Sequence, residues 1–212
     1  MHRLLQGIHR FQRDVFSEHE EHFVQLVQGQ RPEVLFITCS DSRLNPDLLM
    51  QARPGDLFVL RNAGNIVPPY GAGPGGEAAT IEFALEALQV RHIVVCGHSH
   101  CGAMQALLDP ARQAGLPATT RWLQLAESTR RLVGERYAHL DATAQLNVAI
   151  QENVLLQLDA LRTHPAAARG LAEGRLNLHA WVYKFETGEV FAFDARAEQF
   201  QPLKAAGYRP SV

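Results

Sequence analysis

The sequence predicts an α/β fold: a mainly parallel central sheet of four strands plus an antiparallel fifth, helices on both faces, and an N-terminal helical arm. Three observations predict it. Short, almost wholly apolar runs, such as Val34–Ile37 and His92–Cys96, read as buried strands. Between them lie stretches whose apolar residues recur every three or four positions, the mark of amphipathic helices. Strands alternating with helices imply parallel pairing, and only the last two runs are joined by a tight turn, Thr187–Gly188, which makes that pair antiparallel.

Leu4, Ile8, Phe11 and Val15, then Phe23, Leu26 and Val27, fall at helical spacing, so residues 2–28 form one or two helices and 1–30 an arm. The first strand follows Pro32 and ends at Thr38. Asn45 to Met50 suits a short helix, with Pro46 tolerated in its first turn. Pro54–Gly55 turns the chain into a second strand, Asp56–Leu60. Arg61 to Gly76 (RNAGNIVPPYGAGPGG) has no periodicity, and so long a stretch inside a domain is more often functional than idle.

Glu77–Leu88 carries a helical stripe, and the third strand is His92–Cys96. A short helix is expected over 101–108, a loop over Asp109–Thr119, and longer helices over Thr120–Val133 and Ala142–Leu161. Pro165 stops the last of these, with a short helix at 166–173. The fourth strand is Leu176–Phe185 and the fifth Val190–Phe193; nothing is legible from Gln199 onward. No linker divides the 212 residues, which read as one domain, 1–212, with its core at 34–194.

Composition excludes several classes. A formal net charge of −2 offers no electrostatic basis for holding nucleic acid or an anionic membrane. Apolar runs fall far short of the ~20 residues that span a bilayer. Charges scattered through MHRLLQGIHRFQRDVF rule out a secretory signal, and three cysteines, an odd number, argue for a reducing cytoplasm.

Chemistry gathers where strands end. The first strand delivers Cys39, Asp41 and Arg43 in alternation: a thiolate, a carboxylate and a guanidinium at the edge where open α/β sheets bind ligands. The third delivers His98 and Cys101, three residues apart, which a helix starting near Ser99 would set on one face. Two Cys and one His with an open fourth position describe a catalytic rather than a structural Zn²⁺ site, one ion per chain. On such a helix His100 would project about a quarter-turn from Cys101, so His98 is preferred as the nitrogen ligand. Cys96 reads as a core thiol.

CSDSR at Cys39–Arg43 and GHSHCG at Gly97–Gly102, separated by RNAGN at Arg61–Asn65, resemble the β-class carbonic anhydrases, in the bacterial branch that resembles the plant enzymes. The resemblance runs from about Phe11 to Phe193. It implies Cys39, His98 and Cys101 as zinc ligands and Asp41 with Arg43 as the catalytic dyad. It implies zinc-dependent reversible hydration of carbon dioxide to bicarbonate and a proton, by a hydroxide on zinc that Asp41 orients while Arg43 holds the carboxylate off the metal.

It further implies a homodimer or larger homo-oligomer, with Gln30 facing an active site across the subunit boundary and Phe58 and Ala63 in an apolar pocket wall. Val67 and Phe83 are further wall candidates, and the Gly102 N–H a further donor. Two departures stand out: Phe83 replaces a Tyr common in the family, and Phe36 replaces the Trp of members that bind bicarbonate away from zinc. With only Arg61 retained, that second anion site is expected to be absent or weak. Competing readings are hydrolysis of CS₂ or COS on the same zinc, or a non-catalytic zinc-binding partner subunit. A thiol redox role is disfavoured, since no C-x-x-C motif is present.

Overall fold

The computed structural model describes residues 1–73, 75–204 and 208–211. Strand β1 (Val34–Cys39) lies between β2 (Leu57–Asn62) and β3 (His92–His98), and β3 pairs with β4 (Asn177–Tyr183), all in parallel. β5 (Val190–Asp194) then runs antiparallel to β4, as expected. A sixth strand, β6 (Gln199–Pro202), extends the sheet beyond the expected edge, giving the order β2-β1-β3-β4-β5-β6. Its only large apolar residue, Phe200, rests on Phe193 with ring centroids 5.4 Å apart, so no apolar run announces it.

The central strands are buried on both faces, which explains their unbroken apolar runs. Leu35, Ile37, Ile93, Val95, Leu178 and Ala180 face the large core. Over this face lie α5 (Gly76–Glu82), α6 (Gly102–Leu108), α9 (Ala142–Arg162) and α10 (Pro165–Ala172). Phe36, Val94, Cys96 and Trp181 face the other way, under Leu49 and Met50 of α4 (Pro46–Met50) and the C-terminal Leu203 and Tyr208. At Gly97 a Cβ would stand 2.8 Å from Val154 Cγ2, so glycine is what lets α9 settle against β3 beside His98.

Several boundaries differ from the sequence reading. The stretch 109–119 is not plain loop: Pro110–Gln113 makes a 3-10 turn and Pro117 opens α7 (Pro117–Leu123) at its first position, where proline's missing N–H costs nothing. The helix expected over 120–133 is interrupted by a 3-10 turn at Gln124–Ala126 before α8 (Glu127–Arg136).

The arm forms two helical legs. His2–Arg10 (α1), a π-helical turn at Phe11–Val15 and Phe16–Glu18 (α2) run on continuously, then the chain bends at His19 into α3 (Glu20–Leu26). Phe11, Phe16 and Phe23 cluster across the bend, Phe16 stacking on Phe23 at 5.2 Å. No residue of these helices is buried. The arm meets the core where His22 Nε2 lies 2.8 Å from the Pro54 carbonyl oxygen and Leu26 covers Gly55.

Candidate metal centre

Cys39 is the last residue of β1 and His98 the last of β3, so parallel pairing brings both to the carboxyl edge of the sheet. The expectation of a helix from Ser99 is corrected here. β3 persists to His98, which pairs in register with Tyr183, and α6 begins only after Cys101. A two-residue turn, Ser99–His100, with His100 at φ +54°, swings Cys101 back toward His98. His98 and Cys101 therefore meet through a turn and not along a helix face. The reason to prefer His98 over His100 changes with it: the His100 imidazole points to Glu186, with Nε2 2.6 Å from Oε1.

One ligand atom from each of Cys39, His98 and Cys101 lies within 4.8 Å of the others, and all three residues are buried. His98 Nδ1–H donates to the Ser99 carbonyl at 2.8 Å. That bond fixes the tautomer and leaves Nε2 as a lone-pair donor. Nε2 is fully buried without a hydrogen-bond partner, an arrangement a protein interior rarely tolerates unless something else satisfies the nitrogen. The two sulfurs behave as a coupled pair. Their closeness lowers the Cys39 thiol below the usual range and raises Cys101. One sulfur is thus ready as a thiolate, and a divalent metal would displace the other proton. Two thiolates and an imidazole suit Zn²⁺, so the residues fit that ion.

Asp41 stands beside this cluster, its Oδ2 3.9 Å from His98 Nε2, too far for a hydrogen bond. Arg43 holds it in a two-pronged grip, Nε to Oδ1 at 2.9 Å and Nη2 to Oδ2 at 2.7 Å, and the Arg43 backbone N–H adds a third bond to Oδ1. These bonds hold the Asp41 carboxyl well below the usual carboxylate range. Cys96, by contrast, lies on the opposite face in apolar surroundings, and burial pushes its thiol up to about 12. It is a core residue, as its position in the strand implied.

Three supports were not legible in the sequence. Arg61 reaches across from β2 and donates to the backbone carbonyls of Cys39, Asp41 and Leu44, clasping the whole loop after β1. Gly64, at φ +83° and hemmed by Ala103 and Met104, points its N–H at Cys39 Sγ from 3.4 Å. Asn153 and Gln157, buried on α9, hold that loop from below. Asn153 donates to the Gly64 carbonyl at 3.0 Å, and Gln157 accepts from Val67 N–H at 2.8 Å while donating to Asn153. Two polar residues four apart within the apolar stripe Ile150–Val154–Leu158 were the available signal.

The remaining pocket candidates are scattered. Ala63 adjoins Gly64, and its carbonyl accepts from Trp122 Nε1 at 2.8 Å. Val67 is buried in the same cluster as Cys39 and Cys101, and Gly102 opens α6 directly after Cys101. Phe58 and Phe83 are not at this chain's own centre. Phe58 pairs with Leu35 while Asn62 pairs with Cys39, four residues on, so about 13 Å of strand separates the two levels. Phe83 packs on Phe58 with centroids 6.0 Å apart and is half exposed. Gln30 is exposed at the end of the arm. The second anion site has little left to build on: Phe36 is fully buried edge-on to Trp181, and Nε and Nη2 of Arg61 are committed to carbonyls.

A family model described as carbonic anhydrase matches residues 34–190. A carbonic anhydrase of Synechocystis sp. is 51% identical over 201 residues, covering 94% of this chain and 73% of that protein. One from Pseudomonas aeruginosa is 48% identical, covering 96% and 92%. Among solved structures, the β-carbonic anhydrase CcaA superposes with a TM-score of 0.96 at 48% identity, over 100% of this chain and 95% of the other. A tetrameric β-carbonic anhydrase from Sordaria macrospora gives 0.82 at 31% identity, over 90% and 95%.

Proposed function

Because the chain belongs to the β-class carbonic anhydrases, we propose that it catalyses the reversible hydration of carbon dioxide with Zn²⁺ held by Cys39, His98 and Cys101, one ion per chain. When bound, the zinc supplies a nucleophilic water whose proton is lost near neutral pH. Asp41 is the group beside it. Kept ionised by Arg43, its carboxylate can only accept, so it would orient a water held beside Cys39, His98 and Cys101 by accepting a hydrogen bond from it. Arg43 has the second task of keeping that carboxylate from ligating the metal itself.

The single observation that carries this reading is the buried, unpartnered Nε2 of His98 facing two sulfurs, with a gripped carboxylate at its side. A stopped-flow CO₂ hydration assay on metal-analysed protein tests it. Activity in proportion to zinc content is expected, and zinc-replete protein with no activity overturns it. Running CS₂ and COS beside CO₂ separates the hydrolase reading.

The active unit we propose is a homodimer or a multiple of it. Two observations support this. The arm leaves Leu4, Leu5, Ile8, Phe11, Val15 and Phe16 exposed, and neighbouring exposed apolar residues of this kind mark interaction surfaces. Phe58 and Phe83, distant from their own chain's centre, are free to line a neighbour's pocket, as Gln30 is expected to do from the arm. The three cysteines are all free thiols, which supports a reducing cytoplasm. Among the described residues no helix is long and apolar enough to cross a membrane.

A further inference from the structure

The turn between the two ligands of β3 is held from outside by a residue to which neither the reaction nor the metal has yet given a role. Glu186 follows β4 and lies about half exposed. One carboxylate oxygen accepts from the Ser99 hydroxyl at 2.7 Å, and the other lies 2.6 Å from His100 Nε2. A single carboxylate thus bridges both residues of the turn. Ser99 is buried, and its hydroxyl also accepts the Phe185 N–H at 3.0 Å, which ties the turn to the strand end beyond β4.

What the turn presents is as important as what holds it. The Ser99 carbonyl is the acceptor for His98 Nδ1–H, and the His100 carbonyl accepts from Arg43 Nη2 at 3.2 Å. The Arg43 guanidinium also lies over the Phe185 ring, 4.5 Å from its centroid. Arg43 is half exposed, and an exposed Arg–carboxylate pair by itself is a weak constraint. Its fixed position over Asp41 depends on these two extra anchors, both supplied by segments that Glu186 joins. His100 moreover sits at φ +54°, a conformation a non-glycine residue keeps only when its surroundings hold it there.

We propose that Glu186 is a positioning residue: by clamping Ser99 and His100 it keeps Arg43 on Asp41, and so keeps Asp41 off the fourth metal position. The inference rests on the zinc reading above and deepens it. Without the clamp the turn relaxes, the His100 carbonyl leaves Arg43, and the Asp41 carboxylate competes for the metal. The chain then divides between an open form and one closed by its own carboxylate.

The test reads that division directly. Cobalt(II) replaces zinc in the full-length protein, and azide, which needs the open position, is titrated while the visible cobalt bands are followed. If Glu186→Ala leaves about a tenth of the molecules open, apparent azide affinity falls about tenfold. Glu186→Gln retains an acceptor for Ser99 and a polar partner for His100, and is expected to stay within about threefold of the parent, on the same population arithmetic. Asp41→Asn combined with Glu186→Ala is expected to regain parental azide affinity, since the competing carboxylate is gone. Parental affinity in Glu186→Ala, or a double variant that stays weak, overturns the inference alone. A parent protein that takes up no cobalt, or whose bound cobalt shows no thiolate charge-transfer band, overturns the metal reading and this inference with it.

Discussion

The metal centre and the N-terminal arm are opposites in construction. Around the centre side chains brace the backbone and one another: Arg61 binds three carbonyls, Asn153 and Gln157 bind the loop, and Arg43 binds Asp41. The arm, by contrast, exposes its apolar residues and meets the core around His22 and Leu26. The first holds its proposed ligand set within the chain; the second we read as an assembly surface. Damage to the first should therefore appear in metal and chemistry with the fold intact, and damage to the second in assembly with the metal intact.

The largest expected effect is at the ligands. Cys101→Ser exchanges a thiolate for a poor ligand and is expected to remove most zinc and to lower CO₂ hydration by on the order of a hundredfold or more. Cys96→Ser, on the other face, is expected to retain zinc. Metal analysis of the two purified variants side by side decides it, and zinc loss in the Cys96 variant would assign the wrong sulfur.

Next comes Arg43→Ala. The guanidinium is not a ligand, so zinc stays bound, but Asp41 is released; turnover is expected to fall by roughly ten- to a hundredfold, the range of one misplaced positioning group. Near-parental kcat with normal zinc content would reduce the pair to a loop ion bridge.

The arm sharpens the contrast. Phe16→Asp puts a charge into the Phe11–Phe16–Phe23 cluster, exposed at Phe11 and Phe16, that we propose packs on a neighbour; loss of one such contact is about 1.5–3 kcal/mol, so the dimer dissociation constant is expected to rise by roughly ten- to a hundredfold. Sedimentation across a concentration series reads this, with zinc per chain unchanged. A variant as tightly assembled as the parent would show that the arm faces solvent only.

The smallest effect lies away from both regions, at His179. Its Nδ1 is 2.6 Å from the Tyr208 hydroxyl and its Nε2 3.0 Å from His92 Nδ1, and burial pulls its pKa down to about 4. A histidine with a depressed folded pKa stays neutral while its unfolded counterpart, near 6.5, takes up a proton. The unfolded state therefore binds more protons between about 6.5 and 4, and stability declines as pH falls through that window. In His179→Phe the slope of unfolding free energy against pH across that window is expected to be shallower than in the parent, which denaturant titrations at pH 4.5, 5.5 and 7 measure. An unchanged slope would mean that other groups set it.

The proposed ligands were legible because Cys39 and His98 sit where apolar runs stop and Cys101 follows three residues on, a local signal. What lay hidden depends on long-range partners. His98 remains in the strand because Tyr183 pairs with it from β4, and no residue near His98 announces that. Phe58, which the resemblance puts in a pocket wall, stands at Leu35's level and not at Cys39's, so that part would be played at a neighbour's centre, which only the register reveals. Arg61 was read against an anion, whereas its guanidinium serves carbonyls across the strand boundary. The sixth strand has one aromatic and no apolar run, so only its edge pairing with β5 defines it.

One feature also bears on time. α9 closes on β3 at Gly97 and holds the Gly64 loop through Asn153, so both ligand segments lean on a helix that ends at Arg162. During synthesis Cys39, His98 and Cys101 all leave the ribosome before that helix is complete. Chain grows at about 5–20 residues per second, so roughly 3–12 s pass between the last ligand and the end of its scaffold. Throughout that interval the thiols are loose groups on an unfinished chain, open to any soft ion or oxidant in the surroundings. On the zinc reading proposed above, selectivity for that ion would begin only when α9 docks.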